Sequence, residues 1–219
     1  MEYEGPTRDD LANINALNRS FLVAMSESPT TGFGAIAERG LTHSELSRLA
    51  SAPFLLFSLR EHDDEYWEHI LKDESQIDLI HSPGPPDTHL RQLQMASLGF
   101  LWQLARRNPY AARIVSGAPV SWCERLADLT LVTLLHFAAT RNDLLSVRFP
   151  DDDKLWCRLL GNGISARYQV RLTSHQSALQ AMLTRQRGPA YNRISAAACT
   201  MRKPVQRNTP GHAVRDPKV

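Results

Sequence analysis

The stretch Gly117–His136, GAPVSWCERLADLTLVTLLH, decides the reading of this chain because its outline occurs twice. The earlier copy is Gly40–Leu59, GLTHSELSRLASAPFLLFSL. A shift of 77 residues lays Gly40 on Gly117, Ser44 on Ser121, and Arg48-Leu49-Ala50 on Arg125-Leu126-Ala127. A shift of 89 lays Asp63-Asp64-Glu65-Tyr66-Trp67 on Asp152-Asp153-Lys154-Leu155-Trp156. The change of shift gives the second copy 12 additional residues between the matched blocks. A repeated unit of this length governs every other assignment, since each copy is one packing module.

Each copy follows one grammar. A short helix comes first, Phe33–Arg39 in one copy and Tyr110–Ser116 in the other. Gly40 or Gly117 then supplies a left-handed turn at the helix end. Thr42–Glu45 and Ser121–Glu124 both fit the S/T-x-x-E capping box that opens a helix. Those boxes lie 79 apart rather than 77, so the two caps are offset by two residues. Leu46 and Leu49, or Leu126 and Leu129, continue at helical spacing. Helix, glycine turn and capped second helix describe a helix-turn-helix, and they describe any tight αα corner as well.

The flanking segments extend the helical pattern. Leu11, Ile14, Leu17, Phe21 and Leu22 form one face of a helix from about Arg8 to Met25, with Asp9 or Asp10 as its cap. Pro53 opens the apolar run Phe54–Phe57, a short helix or a buried strand. Asp63 or Asp64 caps a helix bearing Tyr66, Trp67, Ile70 and Leu71. The run Ser82–Asp87, SPGPPD, is a linker that continues neither helix nor sheet. Beyond it a helix spans Thr88–Arg107 and ends at Asn108-Pro109.

The second copy then carries a long apolar helix from Ser121 to about Thr140, central in a core or in an oligomer interface. Leu144–Phe149 reads as a short strand. Asp151 or Asp152 caps Lys154–Leu160, and Gly161-Asn162-Gly163 ends it. Ile164, Ala166, Tyr168, Val170 and Leu172 alternate with polar residues as a half-buried strand does. Thr173 or Ser174 caps a last helix to about Arg187. From Gly188 the composition is that of a disordered tail. The fold class is therefore mainly α. Units at 8–81 and 88–187 are joined by the linker 82–87, with a basic tail at 188–219.

Bulk properties set further limits. The chain has 219 residues, 42% of them apolar, enough for a core. No apolar run reaches the roughly 18 residues of a membrane span, and the acidic start reads against a signal peptide. Cys123, Cys157 and Cys199 are widely spaced, which fits a reducing cytoplasm. Residues 1–160 hold 15 Lys/Arg against 22 Asp/Glu, whereas residues 161–219 hold 10 against one, Asp216. An acidic body with a basic end favours nucleic acid or an acidic partner.

In Ser97–Leu160 the chain resembles the flagellar master-regulator subunit FlhD and the FlhD-like activators of mobile elements. The resemblance rests on Ser97-Leu98-Gly99-Phe100-Leu101, Gly117, Leu126–Leu131 and Leu145-Ser146-Val147-Arg148-Phe149. Ser20–Ala24 and the Gly40 turn carry it more distantly. It implies a subunit of a heteromeric transcription activator acting on double-stranded DNA with a zinc-binding, FlhC-like partner. Two copies in one chain would mimic a dimer, and the basic tail departs from the family pattern.

Other chemistry has little in the sequence to rest on. Glu61–Glu65 with Glu68 and His69 is rich in metal-ligand types, but a solvated acidic helix start explains the same residues. Asp151–Asp153 has the same reading. His136, on an apolar helix, reads as a core histidine. No zinc pattern, phosphate loop or nucleophile elbow is present, so no enzyme, metal or cofactor is expected.

For DNA, Ser44, Ser47 and Arg48 on the first corner and Arg125 on the second are the base-reading candidates. Arg106, Arg107 and Arg113 flank the second corner. Arg185, Arg187, Arg193, Arg202, Lys203 and Arg207 in the tail are candidates for phosphate contacts. Glu45 and Glu124 count against groove entry, because a carboxylate there repels phosphate. The alternative is a helical adaptor that contacts other proteins, homo-oligomers included, and never touches DNA.

Overall fold

Helix α1 (Arg8–Glu27) begins at Thr7 rather than at an aspartate cap. Thr7 Oγ1 accepts from the Asp10 N–H at 3.2 Å, and Asp10 Oδ2 accepts from the Thr7 N–H at 2.7 Å. This reciprocal pairing satisfies two helix-start donors and places the aspartate inside the first turn. The computed structural model in which this is seen describes residues 5–27, 40–72, 88–141, 143–150 and 152–184. The expected helix at 33–39, the linker at 82–87 and the tail at 188–219 lie outside them.

On α1, Ile14, Leu17, Phe21, Leu22 and Met25 are buried at helical spacing, while Leu11 stays 42% exposed. Gly40 has φ +57°, and helix α2 (His43–Ala50) follows with the complete capping box of Thr42 and Glu45. The run after Pro53 is not helical; it bends and then enters a strand. Its buried backbone is satisfied from outside. The Leu55 N–H donates to Val115 O at 3.0 Å, and the Leu56 N–H to Asn18 Oδ1 at 2.8 Å. The run ends in strand β1 (Phe57–Ser58). Asp63 Oδ1 then accepts from the Tyr66 N–H and starts α3 (Asp64–Lys72).

The second half opens with α4 (Thr88–Arg107) and α5 (Pro109–Ser116). Asn108 caps α5, with Pro109 at its first position, where the missing N–H costs nothing. Gly117, φ +71°, ends it. Here two expectations are corrected. Helix α6 (Val120–Asp128) starts after Pro119, with no side-chain cap, so Ser121–Glu124 is not a capping box. Proline presets φ for the turn and brings the helix start forward. The starts of α2 and α6 consequently lie 77 apart, with no two-residue offset.

The long helix from Ser121 to Thr140 is broken as well. Leu129 and Thr130 are extended, and α7 (Leu131–Thr140) restarts with Thr130 Oγ1 accepting from the Thr133 N–H at 3.1 Å. The threonine hydroxyl competes for helix backbone and wins at a new N-terminus.

The expected strand Leu144–Phe149 is reduced to β2 (Ser146–Val147), which pairs antiparallel with β1. Phe57 pairs with Val147 and Ser58 with Ser146. At the 89-residue shift Phe57 corresponds to Ser146 and Ser58 to Val147. Each strand residue therefore faces the counterpart of its neighbour. The same shift relates the caps Asp63 and Asp152. It also relates Arg60 and Phe149, the non-glycine residues of positive φ among those described.

Asp152 caps α8 (Asp153–Arg158), and a π-helical turn at Leu159–Gly163 closes it through Gly161-Asn162-Gly163. The alternating segment after Ile164 is not a strand. Helix α9 (Tyr168–Thr184) runs through it, starting earlier than Thr173. Tyr168 and Val170 are 61% and 37% exposed, while Ser174, His175, Ala178 and Met182 are buried at helical spacing. Among the described residues the sheet stops at β1 and β2, and the alternating residues pair with neither strand. The local period of two yields to the longer period of 3.6.

The protein is mainly helical. α4 packs against α1, α5, α6 and α7, and α9 packs against the π turn. One hydrophobic core runs without interruption from α1 to α9, shared by both halves of the chain. Among the described residues no helix is long and apolar enough to cross a membrane.

Candidate nucleic-acid interface

Gly40 and Gly117 both have positive φ and both lead into a helix, but the surfaces beyond them differ. In the first, Glu45 is held by the Thr42 N–H at 2.9 Å and by Thr42 Oγ1 at 2.8 Å. Its carboxylate is therefore engaged at the helix start. His43, Ser44 and Ser47 are exposed on α2. Arg19 of α1 reaches His43 Nε2 at 3.0 Å. Arg48 is half-buried, and its Nη1 donates to Ile164 O at 3.4 Å. The predicted residues Ser44, Ser47 and Arg48 thus share one open helix.

The second corner is committed inward. A Cβ on Gly117 would sit 2.6 Å from Met182 Cγ and 3.2 Å from Arg148 Nη1, so the turn is pressed into the core. Arg113 Nη1 donates to Ala118 O at 3.3 Å, bracing the turn. On α6, Ser121, Glu124 and Asp128 face solvent, and Arg125 is ion-paired with Asp64 of α3. Acidic residues on the outer face and a neutralised arginine suit a protein neighbour better than phosphate.

The flanking arginines also have partners. The Arg106 guanidinium stands 4.9 Å from the Trp102 ring centroid, and Trp102 Nε1 donates to Leu129 O at 2.8 Å. Arg107 pairs with Asp10 at 2.5 Å. Burial pushes the Asp10 carboxyl up, but Thr7 and the Arg107 charge outweigh it and hold its pKa below the usual value. Arg106, Arg107 and Arg113 are therefore not gathered with the α2 residues by any direct contact. The tail candidates Arg185, Arg187, Arg193, Arg202, Lys203 and Arg207 lie outside the described residues.

Beneath the strand pair lies a charged centre that the spacing did not announce. Arg148 and Glu61 are each 1% exposed and meet at 2.8 Å. Arg148 Nε also donates to Leu55 O at 2.6 Å, and its Nη2 donates to Phe57 O. Glu61 Oε2 accepts from Ser58 Oγ at 2.6 Å and from the Leu59 N–H at 2.7 Å. Burial pushes the Glu61 carboxyl up; Arg148, His62 and Ser58 more than offset this, so it ionises below its ordinary range. Glu61 is thus a structural anion, not an exposed member of an acidic cluster. Among the described residues no three His, Cys, Asp or Glu side chains converge as metal ligands would.

Two further buried groups are chemically quiet. Burial pushes the Cys123 thiol up to about 12, so little thiolate forms near neutrality. Burial, aided by Arg171, pushes His175 down to about 4. His136, expected in the core, is half-buried, its ring 6.3 Å from that of Phe137. A groove of about 460 Å³ runs between α1 and α4, bordered by Leu17, Val23 and Leu93 and by Arg19, His89 and Gln92.

Sequence reading missed Arg167 and Arg171, because the expected strand hid them. They stand at the start of α9, beside the carbonyl that Arg48 contacts. The signal that could have found them is a run from Lys154 to Arg215 without one acidic residue. No family model, curated protein or solved structure matches the chain.

Proposed function

We propose that the chain is a DNA-contacting subunit of a transcription activator, with α2 as its groove-facing helix and with an FlhC-like zinc-binding protein as its partner in a cytoplasmic complex. The observation that carries the reading is the first corner. A left-handed glycine leads into a fully capped helix whose exposed residues, His43, Ser44 and Ser47, carry hydrogen-bonding groups and whose carboxylate is engaged. Side chains of this kind suit base edges and phosphates. The two halves act as an internal dimer: β1 and β2 pair as two copies do about a two-fold axis. The second corner, with Glu124 and Asp128 outside, is the protein-facing one.

The test is retention of a random-sequence duplex pool by the full chain, alone and co-purified with an FlhC-like subunit, at roughly 50 and 200 mM salt. Salt-sensitive retention that selects a sequence, and that Ser44→Ala/Ser47→Ala weakens, supports the reading. A complex that never retains DNA at low salt overturns it. That second outcome is the adaptor reading, which α7 favours: Leu131 and Val132 remain 43% and 50% exposed at its start.

A further inference from the structure

We infer that the start of α9, through Arg167, Tyr168 and Arg171, is the clamp on the DNA backbone that sets the position of α2. The inference rests on the DNA reading above and names residues that reading did not use.

The geometry begins in one loop. Ile164 O accepts from Arg48 Nη1 at 3.4 Å, and the next carbonyl, Ser165 O, accepts from Arg171 Nη1 at 2.7 Å. Two guanidinium groups, one from each half of the chain, are thereby fixed on consecutive carbonyls. α2 and α9 both pack against the π turn that leads into these carbonyls. Arg167 is exposed, with its backbone N–H held by Ser165 Oγ at 3.2 Å. Tyr168 is 61% exposed, its ring centroid 5.6 Å from the Arg171 guanidinium.

The charge of the segment that carries α9 is one-signed. Residues 154–184 contain Lys154, Arg158, Arg167 and Arg171 and no acid. On the α2 side the acid is Glu45, which Thr42 engages. Arginine forks and tyrosine hydroxyls are donors that nucleic-acid-binding proteins turn to phosphate, where they fix register without reading sequence. Tyr168 presents 61% of its surface at the start of the helix, open to a partner. Seated on phosphates, the clamp would hold Ser44 and Ser47 at a constant depth in the adjacent groove.

The experiment is fluorescence anisotropy of a labelled duplex with the full chain, in its complex if the complex is what binds, across a salt series. Arg167→Gln/Arg171→Gln should flatten the dependence of log affinity on log salt by about 1 to 2 and lower low-salt affinity about tenfold or more. Arg167→Gln alone, at an exposed side chain, should flatten it by about 1 with no effect on folding. Arg8→Gln, which removes the same charge from α1, should leave the slope unchanged. An unaltered slope in Arg167→Gln and in the folded double variant overturns the clamp while leaving the DNA reading intact. Absence of salt-dependent binding by the parent protein overturns both.

Discussion

Glu61 of the first half and Arg148 of the second form an ion pair that is 2.8 Å long and almost wholly removed from water. Each guanidinium nitrogen and each carboxylate oxygen has a partner: two backbone carbonyls accept from the arginine, and a hydroxyl and an N–H donate to the glutamate. A buried charge left without its partner is far more costly than the pair is stabilising. Arg148→Met should therefore destabilise the protein by about 3–5 kcal/mol, and Glu61→Leu/Arg148→Met should recover a large part of that loss. Urea midpoints of the two variants decide it. If the double variant is no more stable than Arg148→Met, the pair is not the coupled unit the geometry describes.

The same pair sets a pH dependence. The folded-state pKa of Glu61 lies below its ordinary value, so its contribution is present above the unfolded value and lost as pH falls through the folded one. Urea stability of the parent protein should decline on acidification below about pH 4.5 more steeply than that of the double variant. Parallel declines would show that Glu61 is not the carboxylate responsible.

The glycine corners separate strain from crowding. At Gly40, φ is +57° and a Cβ would meet nothing within 4 Å, so Gly40→Ala should cost about 1–2 kcal/mol of left-handed strain alone. At Gly117 the same strain is joined by a Cβ 2.6 Å from Met182 Cγ. Overpacking adds about 1–3 kcal/mol, so Gly117→Ala should be clearly the more damaging. Gly117→Ala/Met182→Ala should restore little, because a cavity replaces the clash. Thermal midpoints of the three variants test the order.

What was legible in the sequence was what local chemistry decides. Gly40 and Gly117, Thr42, Asp63 and Asp152 each act on their own turn, and each does what its residue type requires. Leu144–Phe149 reads as a strand and Phe54–Phe57 as a short helix or a buried strand, but neither run shows that the two pair with each other. The losses came where two local signals competed. Ser121–Glu124 fits a capping box, yet Pro119 two residues earlier starts the helix first. Alternation from Ile164 to Leu172 is a strand signal only where a neighbouring strand pairs with it, and the local pattern does not show that the sheet stops at β1 and β2. That error concealed Arg167 and Arg171 from the candidate site. Arg148 and Glu61 were each visible, but their meeting depends on a contact between residues 87 apart.

The corrected caps are themselves testable. Thr42 holds a helix-start N–H and receives Glu45 in return, so Thr42→Ala should lose about 1 kcal/mol. Ser121 is exposed and already inside α6, where alanine is the better helix former, so Ser121→Ala should be neutral or slightly stabilising. Equal losses from the two substitutions, read from urea midpoints, would restore the second capping box.

His175 offers the sharpest acid-range prediction, because it is 3% exposed and sits under Gly163 of the π turn. Its Nε2 finds no hydrogen-bond partner among the described residues. Burial first, and Arg171 second, bring its pKa down to about 4, against 6.5 for the free side chain. A depressed folded value means that the unfolded chain binds the proton first as pH falls. Stability from keeping His175 neutral is therefore complete above about pH 6.5 and drains away between there and pH 4. In that window the parent protein should lose about 2–3 kcal/mol beyond what His175→Leu loses over the same range. Urea titrations at pH 7, 5.5 and 4.5 measure the difference. A variant whose stability falls as steeply as that of the parent would mean that the ring is hydrated or already charged, and that the π turn does not seal it.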